Sequence, residues 1–137
     1  MKTTRFMLGV LFVVFVMAIA APARAQSTVD ECKSRIDLIQ TDLDVIFANG
    51  GIGGNNAQRT YDSLTSKLQG AEAKLDQNKF ADALRKLEEF RTAIIGLRDA
   101  AKPKLSVADA DLLLNGNTSD ANDEGVNGAI ICAALLP

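Results

Sequence analysis

Between Ala57 and Ala101 the apolar side chains recur three and four residues apart, and no other feature of the chain constrains its fold as tightly. Ala57, Tyr61, Leu64, Leu68, Ala71 and Leu75 form one series. Phe80, Ala83, Leu87, Phe90, Ile94, Leu97 and Ala101 form the next, with Leu84 widening it. Residues so spaced fall on one face of an α-helix, whereas a half-buried strand would alternate every second residue. The first series ends at Gln77-Asn78, the second begins at about Lys79, and Pro103 stops it. Two helices joined by so short a turn pack antiparallel with their apolar stripes facing, leaving pairs such as Arg85 and Glu89 outside.

The flanking segments extend the pattern. Ser27 or Thr28 can cap an earlier helix, with Asp30 and Glu31 at its positive end. Val29, Cys32, Ile36, Ile39, Leu43 and Ile46 then draw a stripe of about five turns. Asp30, Asp37 and Asp44 lie on another line of the same helix, where water solvates them; successive members are about 10 Å apart in rise, too far to share one ion. The glycine-rich segment 49–56 (NGGIGGNN) must end this helix and is expected to be a flexible connector, with a binding loop as the alternative, since long glycine-rich loops can carry function. It is not a phosphate loop: no strand precedes it, its glycines lack the required pattern, and no Lys-Ser or Lys-Thr follows. Ser106 and Asp109 outline a capping box for a shorter helix through Leu112, Leu113 and Leu114. The polar, acidic segment 115–124 (NGNTSDANDE) is turn chemistry. Val126, Ile130, Ile131 and Cys132 read as a last helix or an apolar tail packed back on the others.

The amino terminus has the layout of an export signal. Lys2 and Arg5 precede an uncharged run from Phe6 to Ala23, and Ala23-Arg24-Ala25 supplies the small-residue cleavage pattern, placing the cut between Ala25 and Gln26. The alternative is a retained membrane anchor, because the run approaches spanning length. Loss of residues 1–25 removes Lys2, Arg5 and Arg24 and no acidic group, so the net charge moves from -2 to -5. The remaining 112 residues suffice for one domain. Twelve acidic and twelve basic side chains occupy residues 26–104, but five acidic and no basic ones occupy residues 105–137. Such a surface offers no electrostatic footprint for nucleic acid or anionic lipid. In an exported chain the two cysteines, Cys32 and Cys132, are most simply one disulfide; two buried thiols or an intermolecular bridge are the alternatives.

The expected architecture is therefore all-α: a single small bundle of four to five helices over residues 26–137, its first and last helices joined by Cys32–Cys132. Chemistry is sparsely signalled. With no histidine in the chain, histidine acid–base catalysis and histidine-ligated metals are excluded. The carboxylate pairs Glu88-Glu89 and Asp109/Asp111 fall on expected helix surface or at a cap, whereas an acid–base site needs groups converging in a cleft. No catalytic residue is assigned and no cofactor is expected. One fragment has metal-like spacing: Asp120, Asn122 and Glu124 alternate oxygen ligands ahead of Gly125, like the first half of a calcium loop. The second half departs, with Asn127 and Ile131 where an apolar residue and a bidentate glutamate belong. A polar loop that stays wet is the competing reading.

Two resemblances bear on this pattern. NKFADALRKL, residues 78 to 87, is similar to the second half of a tetratricopeptide repeat, but a shift of ~34 residues lands in the glycine-rich segment, so there is no array. Residues 64–114 resemble the FIMAH-type helical modules appended to secreted bacterial hydrolases and surface proteins. The shared pattern is Leu-x-x-Lys-Leu at 64 to 68, the turn Asp76 to Lys79, Ala83 and Leu87 followed by Phe90, then Leu105-Ser106 opening a helix with a leucine pair. The insertion of Asn115 to Glu124 departs from that family. The resemblance implies a non-catalytic accessory domain and transfers no site residue. The expectation is an exported interaction module, periplasmic or secreted, that binds an extracytoplasmic protein or glycan, with no nucleic acid and no stable membrane insertion after cleavage. The alternative is a structural or protective envelope protein.

Overall fold

The computed structural model describes residues 27–117 and 123–137; the expected leader, and Ala25 and Gln26 at its cleavage point, lie outside them. All regular structure among the described residues is helical: α1 (Val29–Ala48), α2 (Ala57–Asp76), α3 (Phe80–Asp99), α4 (Val107–Asn115) and α5 (Gly125–Ala134). α1 packs on α2 and α5, and α3 packs on the same two helices from the opposite side. These four helices form a ring, and α4 closes one end by resting on α1, α3 and α5.

Helix ends follow the local chemistry. Thr28 caps α1, its hydroxyl accepting the Glu31 N–H at 3.1 Å. Both α1 and α2 stop in Schellman turns. At the first, Gly50 (φ 72) donates to Phe47 O and Gly51 to Ile46 O. At the second, Asn78 (φ 55) donates to Leu75 O and Lys79 to Lys74 O. Asparagine tolerates this left-handed conformation better than most side chains, so the α2–α3 hairpin needs only three connecting residues. α3 ends earlier than its sequence stripe: Ala100 is extended (φ -61, ψ 151), and Ala101, expected on the apolar face, is exposed.

The glycine-rich connector is anchored, not the free linker expected. Ile52 is 4% exposed and inserts into the core, while the Gly53 N–H donates to Lys104 O at 2.7 Å. The run of four glycines obscured this in the sequence, because a single apolar residue carries no periodicity. The core itself follows the stripes: Ile36, Ile39 and Leu43 of α1, Leu64, Leu68 and Leu75 of α2, and Leu87, Phe90 and Ile94 of α3 are essentially inaccessible.

The α1–α2 seam has a polar edge whose members run antiparallel. Lys33 pairs with Asp76 at 2.8 Å, Gln40 donates to Thr65 at 3.2 Å, and the Tyr61 hydroxyl donates to Asp44 at 2.7 Å. Between the first two, Glu72 faces Asp37; burial, then the hydrogen bond and charge of Asp37, raise the Glu72 carboxyl above its ordinary value. The Phe47 and Tyr61 rings stack at 4.3 Å beside it. Asp30, Asp37 and Asp44 are exposed as expected, and Asp44 also ties α1 to α2 through Tyr61.

α5 is the element that periodicity placed least well. Val126, Ala129, Cys132 and Ala133 are buried, but Ile131, expected to pack inward, is 59% exposed. Small side chains at Gly125, Gly128, Ala129 and Ala133 let this helix enter between α1 and α3. Cys132 meets Cys32 across that contact, with Cα atoms 5.5 Å apart. The bond joins the first and last helices as expected and closes a loop of 100 residues, a constraint on the unfolded chain of about 4 to 5 kcal/mol in the entropic model. Reduction, or the double change Cys32→Ser and Cys132→Ser, should therefore lower the urea-unfolding free energy by up to about 4 kcal/mol. Denaturation followed by circular dichroism with and without reductant measures this; superimposable curves would contradict it.

Candidate functional site

The best-defined polar feature of the molecule is the place where α4 gives way to α5. α4 is opened by Ser106, whose hydroxyl accepts the Asp109 N–H at 3.0 Å and donates to the Asp109 carboxylate at 2.7 Å. It is closed by Gly116 (φ 73), whose N–H donates to Leu112 O at 2.7 Å. Gly125 (φ 54) begins α5 directly alongside. A Cβ on Gly116 would come within 1.9 Å of Asp123 O, and one on Gly125 within 2.6 Å of Gly116 N. Only glycine fits at either position, so the two chain segments form a closed neck.

Asp123 holds the neck together. It is 9% exposed, the only charged side chain so buried among the described residues. Its carboxylate accepts the Asn117 N–H at 2.7 Å and, more loosely, the Gly125 N–H at 3.4 Å. Accepting backbone N–H groups compensates its desolvation. Outside this hub, the Asn127 side-chain amide donates to Asn115 Oδ1 at 2.8 Å, bridging α5 to α4. Arg35 of α1 reaches Glu124 at 2.6 Å while keeping Glu31 at 3.5 Å. Arg35 is one turn beyond Cys32, so the disulfide and this ion pair fasten α5 to the same stretch of α1.

Asp42 of α1 also faces the neck. Burial, then the charge of Asp123, raise its carboxyl above its ordinary value of 3.8. Beside the neck a groove of about 360 Å³ runs along α4, lined by Ala108, Asp111, Leu112, Asn115, Gly116 and Asn117. Asp111, Asn115 and Asn117 supply the carboxylate and amide groups of this groove.

Of the expected calcium set, Asp120 and Asn122 lie outside the described residues, and Glu124 has its carboxylate on Arg35. Among the described residues no group of three or more acidic or cysteine side chains is arranged to hold a metal ion. The two carboxylate pairs weighed for acid–base chemistry meet neighbouring polar groups. Glu88 pairs with Arg91, and Glu89 with Lys86 and Arg85. The hydrogen bond from Lys86 holds the Glu89 carboxyl below its ordinary value. Asp109 bonds Ser106, and Asp111 lies 3.8 Å from Arg98.

Sequence reasoning found the polar segment but missed Asp123, Arg35, Asn127 and the paired glycines. A partial signal was present: Asp123-Glu124-Gly125 is the pattern in which an aspartate bonds the N–H two residues on. The partnership of Arg35 with Glu124, 89 residues apart, had none. Comparison of the chain with protein-family models, with curated proteins and with solved structures finds no match.

Two outcomes follow from the neck. Asp123→Ala, which removes the carboxylate that accepts the Asn117 and Gly125 N–H groups, should cost about 1 to 3 kcal/mol and speed amide exchange at Asn117 and Gly125 while α2 and α3 stay protected. Unchanged exchange there would show that Asp123 does not hold the neck. For Asp42 the sign is set by its raised carboxyl: the stability it contributes is present at acid pH and lost as pH rises through the folded-state value, above 3.8. Asp42→Asn should therefore be more stable than the parent at neutral pH, with the advantage shrinking below about pH 4. Urea midpoints across that range provide the check.

Proposed function

We propose that this chain is an exported, non-catalytic interaction module. Its leader is removed between Ala25 and Gln26, it resides in the periplasm or outside the cell, and it presents the α4–α5 neck and the groove beside it to an extracytoplasmic protein or glycan. The observation that carries this reading is the construction of the neck. Two sterically obligatory glycines, a buried aspartate and an ion pair to α1 converge where α4 ends and α5 begins. A connection whose only task was to link two helices would not need such bracing; loops fixed by a rigid scaffold commonly carry recognition.

Further support comes from elsewhere in the chain. A disulfide between buried cysteines suits an oxidising compartment. No described helix is long and apolar enough to cross a membrane. The resemblance of residues 64–114 to FIMAH-type modules supports an accessory role over a catalytic one. Because the carboxyl-terminal third is acidic, the partner surface is expected to be basic or rich in hydrogen-bond donors. A second reading, a structural or protective envelope protein, draws on the ion pairs that α3 forms within itself, such as Arg85 with Asp82 and Arg91 with Glu88.

A photo-crosslinking residue at Ala108, exposed on the groove, distinguishes the two readings when compared with one at Gln69 on α2. Irradiation in the native envelope should yield one reproducible adduct from position 108 and none from 69. Equal or absent labelling at both positions would favour the structural reading.

A further inference from the structure

We propose that the outer face of the α2–α3 hairpin is a self-association surface, on which a second copy of this chain packs about a two-fold axis close to Ala93. α2 touches only α1 and α3, so its side turned away from the bundle has no cover. The two seams it makes are finished differently. The α1–α2 seam is bridged on the outside by the polar pairs described above. Across the α2–α3 seam no side-chain hydrogen bond or ion pair passes among the described residues. A groove runs along it instead, in two adjoining parts of about 290 and 530 Å³ that share Ala93.

Gly96 is the observation that calls for an occupant. It lies inside α3, where glycine weakens a helix relative to alanine. Nothing within the chain requires it: its backbone is not left-handed, and a Cβ built there would meet no atom within 4 Å. Ala93 and Gly96, three residues apart, share a face of α3, and Leu64 and Leu97 complete an apolar floor around them. Small side chains at such a point let a second helix cross closely, ridge into groove.

The charges identify the occupant. One part of the groove holds a single charged group, Arg59, which is exposed and pairs with nothing among the described residues. The other holds Glu88 and Glu89 together with Lys67 and Arg85. Glu89 is engaged by Lys86 and Arg85, whereas Glu88 has only Arg91, at 3.2 Å, which does not line the groove. Arg59 precedes Leu64, and Glu88 precedes Ala93, by the same number of residues on antiparallel helices. They therefore stand on opposite sides of the groove's middle, each about 7.5 Å along its helix. A two-fold axis there brings Arg59 of each copy to Glu88 of the other, so the face is complementary to itself. From Arg85 to Gly96 is about 17 Å of helix, and two helices side by side are ~20 Å across. That is smaller than the ~800 Å² per partner of a standard stable interface, so the dimer is reversible. Because α2 touches neither α4 nor α5, the neck stays open in it.

Sedimentation equilibrium of the exported, disulfide-bonded protein over a concentration series tests this, with circular dichroism to establish that each variant is folded. The expected result is a reversible monomer–dimer equilibrium. Arg59→Glu and Glu88→Arg should each weaken it by about tenfold or more, and the double variant, with the pair exchanged, should recover most of that loss. Gly96→Ala should raise the urea midpoint of the monomer, through helix propensity, and yet weaken the dimer. A protein monomeric at every concentration, as it would be if the groove served a helix of another protein, overturns the proposal. So does a dimer indifferent to Arg59→Glu or to Gly96→Ala, or a double variant no stronger than the singles.

Discussion

Placement of α5 is the constraint on which the rest of the bundle depends. This helix has ten residues, no side-chain cap at its amino terminus and no charged side chain from Gly125 to Ala134. An isolated helix of that length is marginal in water, because nucleation costs more than so few hydrogen bonds return. Its position is fixed instead by contacts made after the chain has returned to its beginning: small residues that allow close approach to α1 and α3, the bond from Cys132 to Cys32, and the reach of Arg35 to Glu124. Without α5, Ile36, Phe90 and their neighbours would lack a wall, and the ring of helices would stay open.

Two kinds of stabilisation thus divide the molecule. The α2–α3 hairpin is local: its stripes face each other across a turn of three residues, and propensity, capping and burial agree. The α1–α5 contact is distant in sequence, and it is here that the disulfide acts, since a crosslink restricts the unfolded chain most when it closes a long loop. The polar edge between α1 and α2 has a third role. Its pairs are largely exposed and worth little singly, but their alternating spacing admits only one register between the two helices.

The candidate site inherits its rigidity from the distant contact. The neck joins the short α4 to the dependent α5, so its geometry is held by Asp123 within and by Arg35 from α1 without. A polar segment at such a junction would be expected to open readily if it were only a linker. Its bracing is what distinguishes it from the glycine-rich connector, which is secured mainly by burial of Ile52 and one backbone hydrogen bond to Lys104.

The sequence by itself determined the helices and their facing sides wherever a periodic stripe was long enough, as in Leu64 to Leu75 and Phe80 to Leu97, because helix geometry maps spacing onto a face. It also made Cys32–Cys132 the simplest pairing, since two cysteines in one chain leave only one intramolecular partner each, and tertiary structure brought the two together. Tertiary structure decided what spacing does not encode. In α5 the stripe is too short and too small to separate Ile130, half-buried, from Ile131, exposed. In the connector one isoleucine between glycines has no phase, so its insertion depends on a cavity other helices make. At the neck, the roles of Asp123 and Arg35 exist only because the end of the chain returns to α1, and contact between residues so far apart is a property of packing that no local pattern specifies.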